Sequence, residues 1–329
     1  MIPLHDPRQA QRPTAIALGT FDGLHAGHRR VIAAISADGG AAPPHGATPH
    51  GAIPTVVSFW PHPREVLHGE TRLRLDLPQE KLALLEPLGI QQLVLVPFDR
   101  ALAALSPEAF VQQVLVEQLA ARRVAVGDNF RFGVGRSGSA ADLERLGAAA
   151  GIAVDVLPML WDGEERVSSR RIRRALAGGD IAEARRLLGR PYRFSGAVVT
   201  GRGLGRQLGW PTANLRIDRR KLLPAEGVYA AHAWLQPGPD TANGADATAM
   251  AAVMNLGPQP TVDPLAPSAV EVHLLDRTLN LDGRSLRVEP IERLRGQRRF
   301  DGLEALVSQI GRDAARARVV AAAVAPQAG

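Results

Sequence analysis

Two short stretches of the chain combine residue types suited to holding phosphate. The first is Gly19-Thr20-Phe21-Asp22-Gly23-Leu24-His25-Ala26-Gly27-His28, which follows the apolar run Thr14–Leu18 and leads into a helical pattern over Arg29–Ser36. His25 and His28 stand three residues apart at a helix start, so both imidazoles should share one face beside unpaired backbone N–H groups. Gly19, Gly23 and Gly27 let the backbone approach a triphosphate, and the helix dipole and ring N–H donors can stabilise charge on the α-phosphate and a departing pyrophosphate. No covalent nucleophile is needed if the phosphate of a second substrate attacks directly. The second stretch is Gly201-Arg202-Gly203-Leu204-Gly205-Arg206-Gln207-Leu208-Gly209, a basic glycine loop after a strand, whose backbone N–H groups can wrap a polyphosphate.

The elements that must position these stretches follow from apolar periodicity. Strands are expected at Thr14–Leu18, Pro54–Phe59, Gln92–Pro97, Arg123–Val126 and Val154–Leu157, with helices over Gln79–Leu88 and from Pro107 to Ala121, the latter capped by Ser106. Strands alternating with helices mean βαβ units and a parallel sheet. The Ala-, Gly-, Pro- and His-rich stretch from Asp38 to Ile53 reads as a disordered insertion. After Ser168 the pattern is helical to Leu188, where Gly189 and Pro191 supply a stop. Beyond it, Ser195–Thr200, Gly227–Leu235, Ala249–Asn255, Ala269–Asp276 and Ser285–Pro290 are strand-like, the Gly/Ala/Asp-rich Gln236–Ala247 reads as a hairpin tip, and Asp301–Val324 has helical periodicity. The expectation is two domains, 1–187 and 188–329: a Rossmann-like α/β domain with a parallel sheet, then a small β-barrel with a C-terminal helix.

Composition narrows the function classes. With 45% apolar and 22% charged residues and no run of about 18 apolar residues, the chain reads as globular without a membrane span. The first eleven residues lack an apolar secretion segment, so the expected location is cytoplasmic. The chain has no cysteine, which removes disulfides, thiolate nucleophiles and cysteine-held zinc and leaves oxygen or imidazole as metal ligands. A net charge of +6 raises nucleic-acid binding as the rival class. The charge is nearly all arginine scattered among Asp and Glu, with Lys81 and Lys221 the only lysines, which is the pattern of a solvated surface.

Further residues carry a resemblance. Gly19–His28 is similar to the nucleotide-binding signature of bacterial FAD synthetases, within the nucleotidylyltransferase superfamily, and three more stretches follow in the same order. Ser58-Phe59-Trp60-Pro61-His62-Pro63 resembles that family's F-x-P-H-P segment, Ser106-Pro107-Glu108-Ala109-Phe110 its S-P-E-x-F, and Val126–Gly133 its G-x-N-F-x-F-G loop. The resemblance implies ATP and phosphate binding by Gly19, Phe21, Asp22, Gly23, Gly27, Asn129, Ser168, Ser169 and Arg173, with Asn129 also on the flavin side. The chemistry suits them: an amide reads a base or ribose edge, hydroxyls hold phosphate oxygens and a guanidinium clamps a phosphate in two-pronged fashion. Trp60 stands where the family usually has an acidic or variable residue, and Arg170 where it has threonine.

The glycine loop runs into Trp210-Pro211-Thr212-Ala213-Asn214, which resembles the G-F/W-P-T-A-N signature of riboflavin kinases. By that resemblance Gly201, Gly203, Gly205 and Arg206 hold ATP phosphates, and Thr212 and Asn214 hold Mg2+ as hard oxygen ligands. Glu271 lies in an otherwise largely apolar strand, Ala269–Asp276, similar to the family's V-E-x-H-L-L-D, whose glutamate is the catalytic base. Likeness continues in Pro224–Tyr229, Met254–Thr261 and Leu294–Phe300, which implies substrate-lining positions, with Arg295 and Phe300 on the flavin side and Arg295 also able to meet an ADP phosphate. Asn280-Leu281-Asp282-Gly283 departs from the family's Asp-Leu-Tyr-Gly. The plainer roles remain open: a turn residue at Asn129, a helix cap at Ser168, an outward strand glutamate at Glu271 and a solvated Arg295.

Together these stretches imply the two-domain bacterial enzyme: ATP and riboflavin give FMN and ADP in the second domain, then ATP and FMN give FAD and pyrophosphate in the first. The alternative is a riboflavin kinase whose first domain binds nucleotide without turning it over. Neither nucleic acid nor membrane is an expected partner, and the oligomeric state is not legible.

Overall fold

The computed structural model describes residues 1–36, 51–201, 205, 208–236, 248–257, 269–277, 279–281 and 283–326. Contacts divide the chain into two compact units, Met1–Ser169 and Arg170–Gly329. Most of the Asp38–Ile53 stretch, the Gln236–Ala247 tip beyond Gln236, Pro258–Thr261, Gly203, Arg206 and Asp282 lie outside the described residues.

The first unit is built on a six-stranded parallel sheet. Its strands are β1 (Leu4–His5), β2 (Thr14–Leu18), β3 (Ile53–Trp60), β4 (Gln92–Pro97), β5 (Ala121–Gly127) and β6 (Ala153–Leu157). They lie in the order β1-β4-β3-β2-β5-β6. Alternate side chains feed two separate cores. Ile16, Leu18, Val57, Val94 and Val124 join one, while Ala15, Ala17, Val56, Leu93 and Ala125 join the other with Val31, Ile32 and Ile35. Burial of both faces explains why these strands read as unbroken apolar runs.

Strand order also fixes where a ligand can sit. The chain moves from β2 to β3 on one side and places β5 on the other, so β2 and β5 flank the topological switch point. The crevice outside their carboxyl ends is where open α/β sheets bind ligands. The Gly19–His28 turn leaves β2 there and enters helix α1 (Ala26–Ala33), and the Asn129 loop leaves β5 there.

Helix α2 (Ser169–Gly178) begins on the last residue of the first unit, and the rest of it opens the second together with α3 (Ile181–Leu188), the two joined across by the 2.7 Å pair Arg171–Glu183. Gly189, at φ 64°, ends α3 in a left-handed cap. A closed antiparallel barrel follows, in the order β7-β8-β11-β10-β9-β12. Its strands are β7 (Phe194–Val199), β8 (Ala213–Ile217), β9 (Gly227–Leu235), β10 (Met250–Gly257), β11 (Ala269–Leu274) and β12 (Ser285–Arg295). Helix α4 (Leu303–Ala323) lies against β9, β10 and β12, burying Ala314 and Ala317 beside Ala230 and Leu275.

The expected parallel sheet, barrel and terminal helix are present, and several local details differ. The segment after Pro107 is α-helical only to Phe110 and continues as a π-helix, Val111–Gln118, before β5 begins at Ala121. The helical stretch Ser168–Leu188 is two helices, because Gly179 adopts φ 77° between them. Strand β8 was not expected; its first two residues, Ala213 and Asn214, belong to the Trp210–Asn214 signature. Ser106 caps as expected: its Oγ accepts from the Ala109 N–H at 3.1 Å. Ser106→Ala should therefore lower the stability of the first unit by about 1 kcal/mol in denaturant unfolding, with the slope of the transition unchanged.

Candidate functional site

Residue His25, not Arg29, begins the helix after β2. It is the N-cap of α1, and its Nδ1 accepts from the His28 N–H at 3.3 Å. An accepting nitrogen carries no proton, so neutral His25 has its proton on Nε2. The two rings stack with centroids 3.7 Å apart and planes 17° from parallel, and Phe21 meets His28 edge-on at 5.3 Å. Burial, followed by the charges of Arg29 and Arg166, holds His25 down at about 4. Burial, His25 and Lys81 hold His28 well below the usual imidazole range. Both rings are therefore neutral donors at pH 7.

The turn is held in an uncommon shape. Phe21 and Leu24 have φ 43° and 42°, each with its side chain buried, and Gly23 has φ 95°. Non-glycine residues persist in that region only where surroundings over-determine them. Here the carbonyl of Thr20 accepts from Lys81 Nζ at 2.9 Å and from Ser58 Oγ at 3.1 Å. Asp22 Oδ1 accepts from the Leu75 and Asp76 N–H groups at 2.9 and 3.4 Å, and its carbonyl accepts from Ser169 Oγ at 2.7 Å. Desolvation pulls the Lys81 ammonium downward, opposed by Asp22 and Asp76. A small cavity of about 20 Å3, room for one water, lies under the turn, with Thr20, Ser58, Arg74 and Lys81 among its lining residues.

The sequence-derived residues Gly19, Phe21, Asp22, Gly23, His25, Gly27, His28 and Ser169 thus meet around one turn. Gly27 lies against the His25 ring, where a Cβ would sit 3.3 Å from it, and Gly19 against the ring of Phe21. Asn129 lies at the carboxyl end of β5, close to Gly127, and is followed by the partly stacked pair Phe130 and Phe132. The Asp22 carboxylate serves the backbone, and this fixes the turn. Ser168 precedes α2; Arg170 and Arg173 are within it and group with the second unit. Trp60 has a partner in Arg74, whose guanidinium lies 4.9 Å from the ring centroid.

The second unit gathers its residues in one cavity of about 830 Å3, lined by Gly201, Gly205, Thr212, Asn214, Glu271, Arg295 and Phe300. Barrel alternation explains this. Val270, Val272 and Leu274 are buried, while Glu271 and His273 take the opposite face toward the cavity. Gly201 is required by close approach, because a Cβ there would collide with the Asn214 amide; one at Gly205 would lie 3.1 Å from Thr212 Oγ1. Those two oxygen-bearing side chains therefore face an uncluttered glycine backbone. Arg295 does not project freely: its guanidinium pairs with Asp313 at 2.9 Å and lies 5.6 Å from the Phe300 centroid. Asn255 and Gln297, from two stretches expected to line the substrate, do line the cavity, though neither had been given a role of its own; Asp313 there and Lys81 under the first turn were given no site role from sequence.

The low histidine values give a sign for stability. A ring at about 4 when folded, against an unfolded value near 6.5, means the unfolded chain binds more protons between those values. Stability is full above about pH 6.5 and is lost as pH falls toward 4, at up to about 1.4 kcal/mol per pH unit for each such buried ring. His28 and His62 shift the same way. Hydrogen-exchange protection of β2 and α1 should fall through this window, and the loss should be reduced in His25→Asn.

Comparison with known proteins agrees with the two-domain reading. A FAD synthetase family profile matches residues 7–171 and a riboflavin kinase profile residues 188–321. The bifunctional riboflavin kinase/FMN adenylyltransferase of Escherichia coli K12 is 36% identical over 96% of this chain and 95% of its own. That of Pseudomonas fluorescens is 36% identical over 97% and 96%. A solved Streptococcus pneumoniae structure, described as a macrolide-efflux protein, superposes with a TM-score of 0.80 at 26% identity over 96% of this chain and 98% of that one. No helix among the described residues is long and apolar enough to cross a membrane. With both profiles matched in order and full-length relatives above 30% identity, the chain belongs to the bifunctional riboflavin kinase/FMN adenylyltransferase family.

Proposed function

We propose that the Gly19–His28 turn transfers the adenylyl group of ATP to FMN, and that the cavity beside Glu271 is where riboflavin is phosphorylated. The observation that carries the reading is the single cavity that collects Gly201, Gly205, Thr212, Asn214 and Glu271 from a glycine loop and two paired strands. A kinase with a silent first domain is not favoured, since a FAD synthetase region accompanies the riboflavin kinase region. The functional division taken is 1–187 and 188–329, supported by the start of the riboflavin kinase match at residue 188. The proposed setting is the cytosol, where both reactions find ATP.

In the first reaction an oxygen of the FMN phosphate attacks the α-phosphorus of ATP. The new O–P bond gives FAD, and the bond between the α-phosphorus and the bridging oxygen breaks to release pyrophosphate. His25 and His28 act as neutral N–H donors to the charge that builds there, while α1 directs its N-terminal dipole at the same place.

In the second, Glu271 takes the proton of the terminal ribityl hydroxyl as its oxygen attacks the γ-phosphorus, and ADP leaves. Thr212 and Asn214 would hold Mg2+ through a hydroxyl and an amide oxygen, a donor set that suits an ion completed by water and substrate phosphates. Bound there, the ion supplies neutralisation of the ATP phosphates. Phe300 offers its ring to the flavin, and the Arg298 guanidinium lies 5.0 Å from that ring's centroid.

Chromatography of flavin products separates the two sites. Glu271→Ala should cut FMN formation by about a hundredfold or more while FMN-to-FAD conversion persists. His28→Ala should lower adenylylation by about a hundredfold and leave phosphorylation near normal. Retained kinase activity in Glu271→Ala overturns its role as base; loss of both activities in His28→Ala overturns the independence of the sites.

A further inference from the structure

The carboxylate of Glu271 is gripped from one side by a chain of amides. Strand β11 lies between β8 and β10, and the register sets Asn214 directly opposite Glu271 on one side and Asn255 directly opposite on the other. All three line the cavity. Asn255 Nδ2 donates to Glu271 Oε2 at 3.3 Å. Gln297 Nε2 donates both to Asn255 Oδ1 and to the Leu256 carbonyl, each at 2.8 Å.

This order of donors sets which way the Asn255 amide faces. Gln297 is anchored by the Leu256 carbonyl, so its NH2 group is directed at Asn255 and requires an acceptor there. The oxygen of Asn255 answers it, which leaves the Asn255 NH2 group pointing at the carboxylate. The reversed amide would set carbonyl against carboxylate and NH2 against NH2. A second observation fits the same seat: a Cβ at residue 257 would stand 2.6 Å from Gln297 Nε2, so the approach of Gln297 depends on Gly257.

We propose that Asn255 and Gln297 are positioning residues for riboflavin phosphorylation, fixing Oε2 of Glu271 and leaving Oε1 as the oxygen that receives the substrate's proton. The inference rests on Glu271 being the base. A carboxylate that spins about its last torsion offers either oxygen in many directions; one held by an N–H offers the other in a narrow range, which is the geometric requirement of proton transfer. The charged groups that share the cavity are occupied elsewhere. Arg295 is paired with Asp313 at 2.9 Å, Arg298 donates to Gln309, and His273 Nδ1 is 2.7 Å from the Pro211 carbonyl.

A double-mutant cycle on the full chain tests this. Asn255→Leu should lower kcat for FMN formation by about 10- to 100-fold, the cost typical of losing a residue that orients a reacting group, with KM for riboflavin and ATP within about twofold. Asn255→Asp, which keeps the shape but sets an anionic oxygen against Glu271, should lose at least as much. In a Glu271→Asp background, whose shortened carboxylate is withdrawn from Asn255, Asn255→Leu should change the remaining kcat by less than about twofold. Riboflavin binding followed by flavin fluorescence should be retained in every variant, which separates positioning from collapse of the barrel. Equal kcat losses in both backgrounds, a loss in KM alone, or lost flavin binding in both Asn255 variants overturns the inference. Unimpaired turnover by Glu271→Gln instead overturns the base assignment itself, a distinguishable failure.

Discussion

A β-strand can send only every second side chain to one face, and the two units meet this constraint in opposite ways. The parallel sheet is covered on both faces, so Ile16 and Ala17 enter different cores and no position along β2 is left for chemistry. Reactive groups are forced past the strand ends, into the turn that carries His25 and His28. The antiparallel barrel has one inner face and one outer face. Its outer face can therefore carry polar residues in mid-strand, and Asn214, Glu271 and Asn255 form a row across three adjacent strands.

Much of this was legible because the same constraint writes the sequence. Unbroken apolar runs marked β2 and β4, and the largely apolar strand around Glu271 marked β11, each close to its observed bounds. The catalytic stretches were legible for a different reason: glycines, histidines and the Thr212–Asn214 pair are chemically conspicuous and close together in the chain. What escaped notice depends on distance in sequence. Asn255 acquires its place from pairing with β11, and Gln297 from a carbonyl at Leu256; their stretches were expected to line the substrate, but neither is titratable, so nothing in residue type gave them a role of their own. The π-helix Val111–Gln118 escaped because its hydrogen-bond shift leaves no mark in residue type.

Charge follows a similar division. Arginine supplies nearly all the basic residues, yet the two lysines, Lys81 and Lys221, are both buried. At Lys81 the ammonium reaches the Thr20 carbonyl, and at Lys221 it lies 4.7 Å from the Tyr192 ring centroid. Behind the Gly19–His28 turn the Lys81 ammonium, pulled downward by burial and opposed by Asp22 and Asp76, donates to the Thr20 carbonyl, while the imidazoles in front stay neutral.

The two-residue strand β1 has an effect out of proportion to its length. By pairing Leu4 and His5 with Leu93 and Val94, it occupies part of the outer ladder of β4, which would otherwise present free amide and carbonyl groups at the sheet's margin. The closed barrel has no such margin to protect. Resistance to self-association through added strands is therefore built in by geometry in one half of the chain, and in the other is entrusted partly to a few residues near its amino terminus.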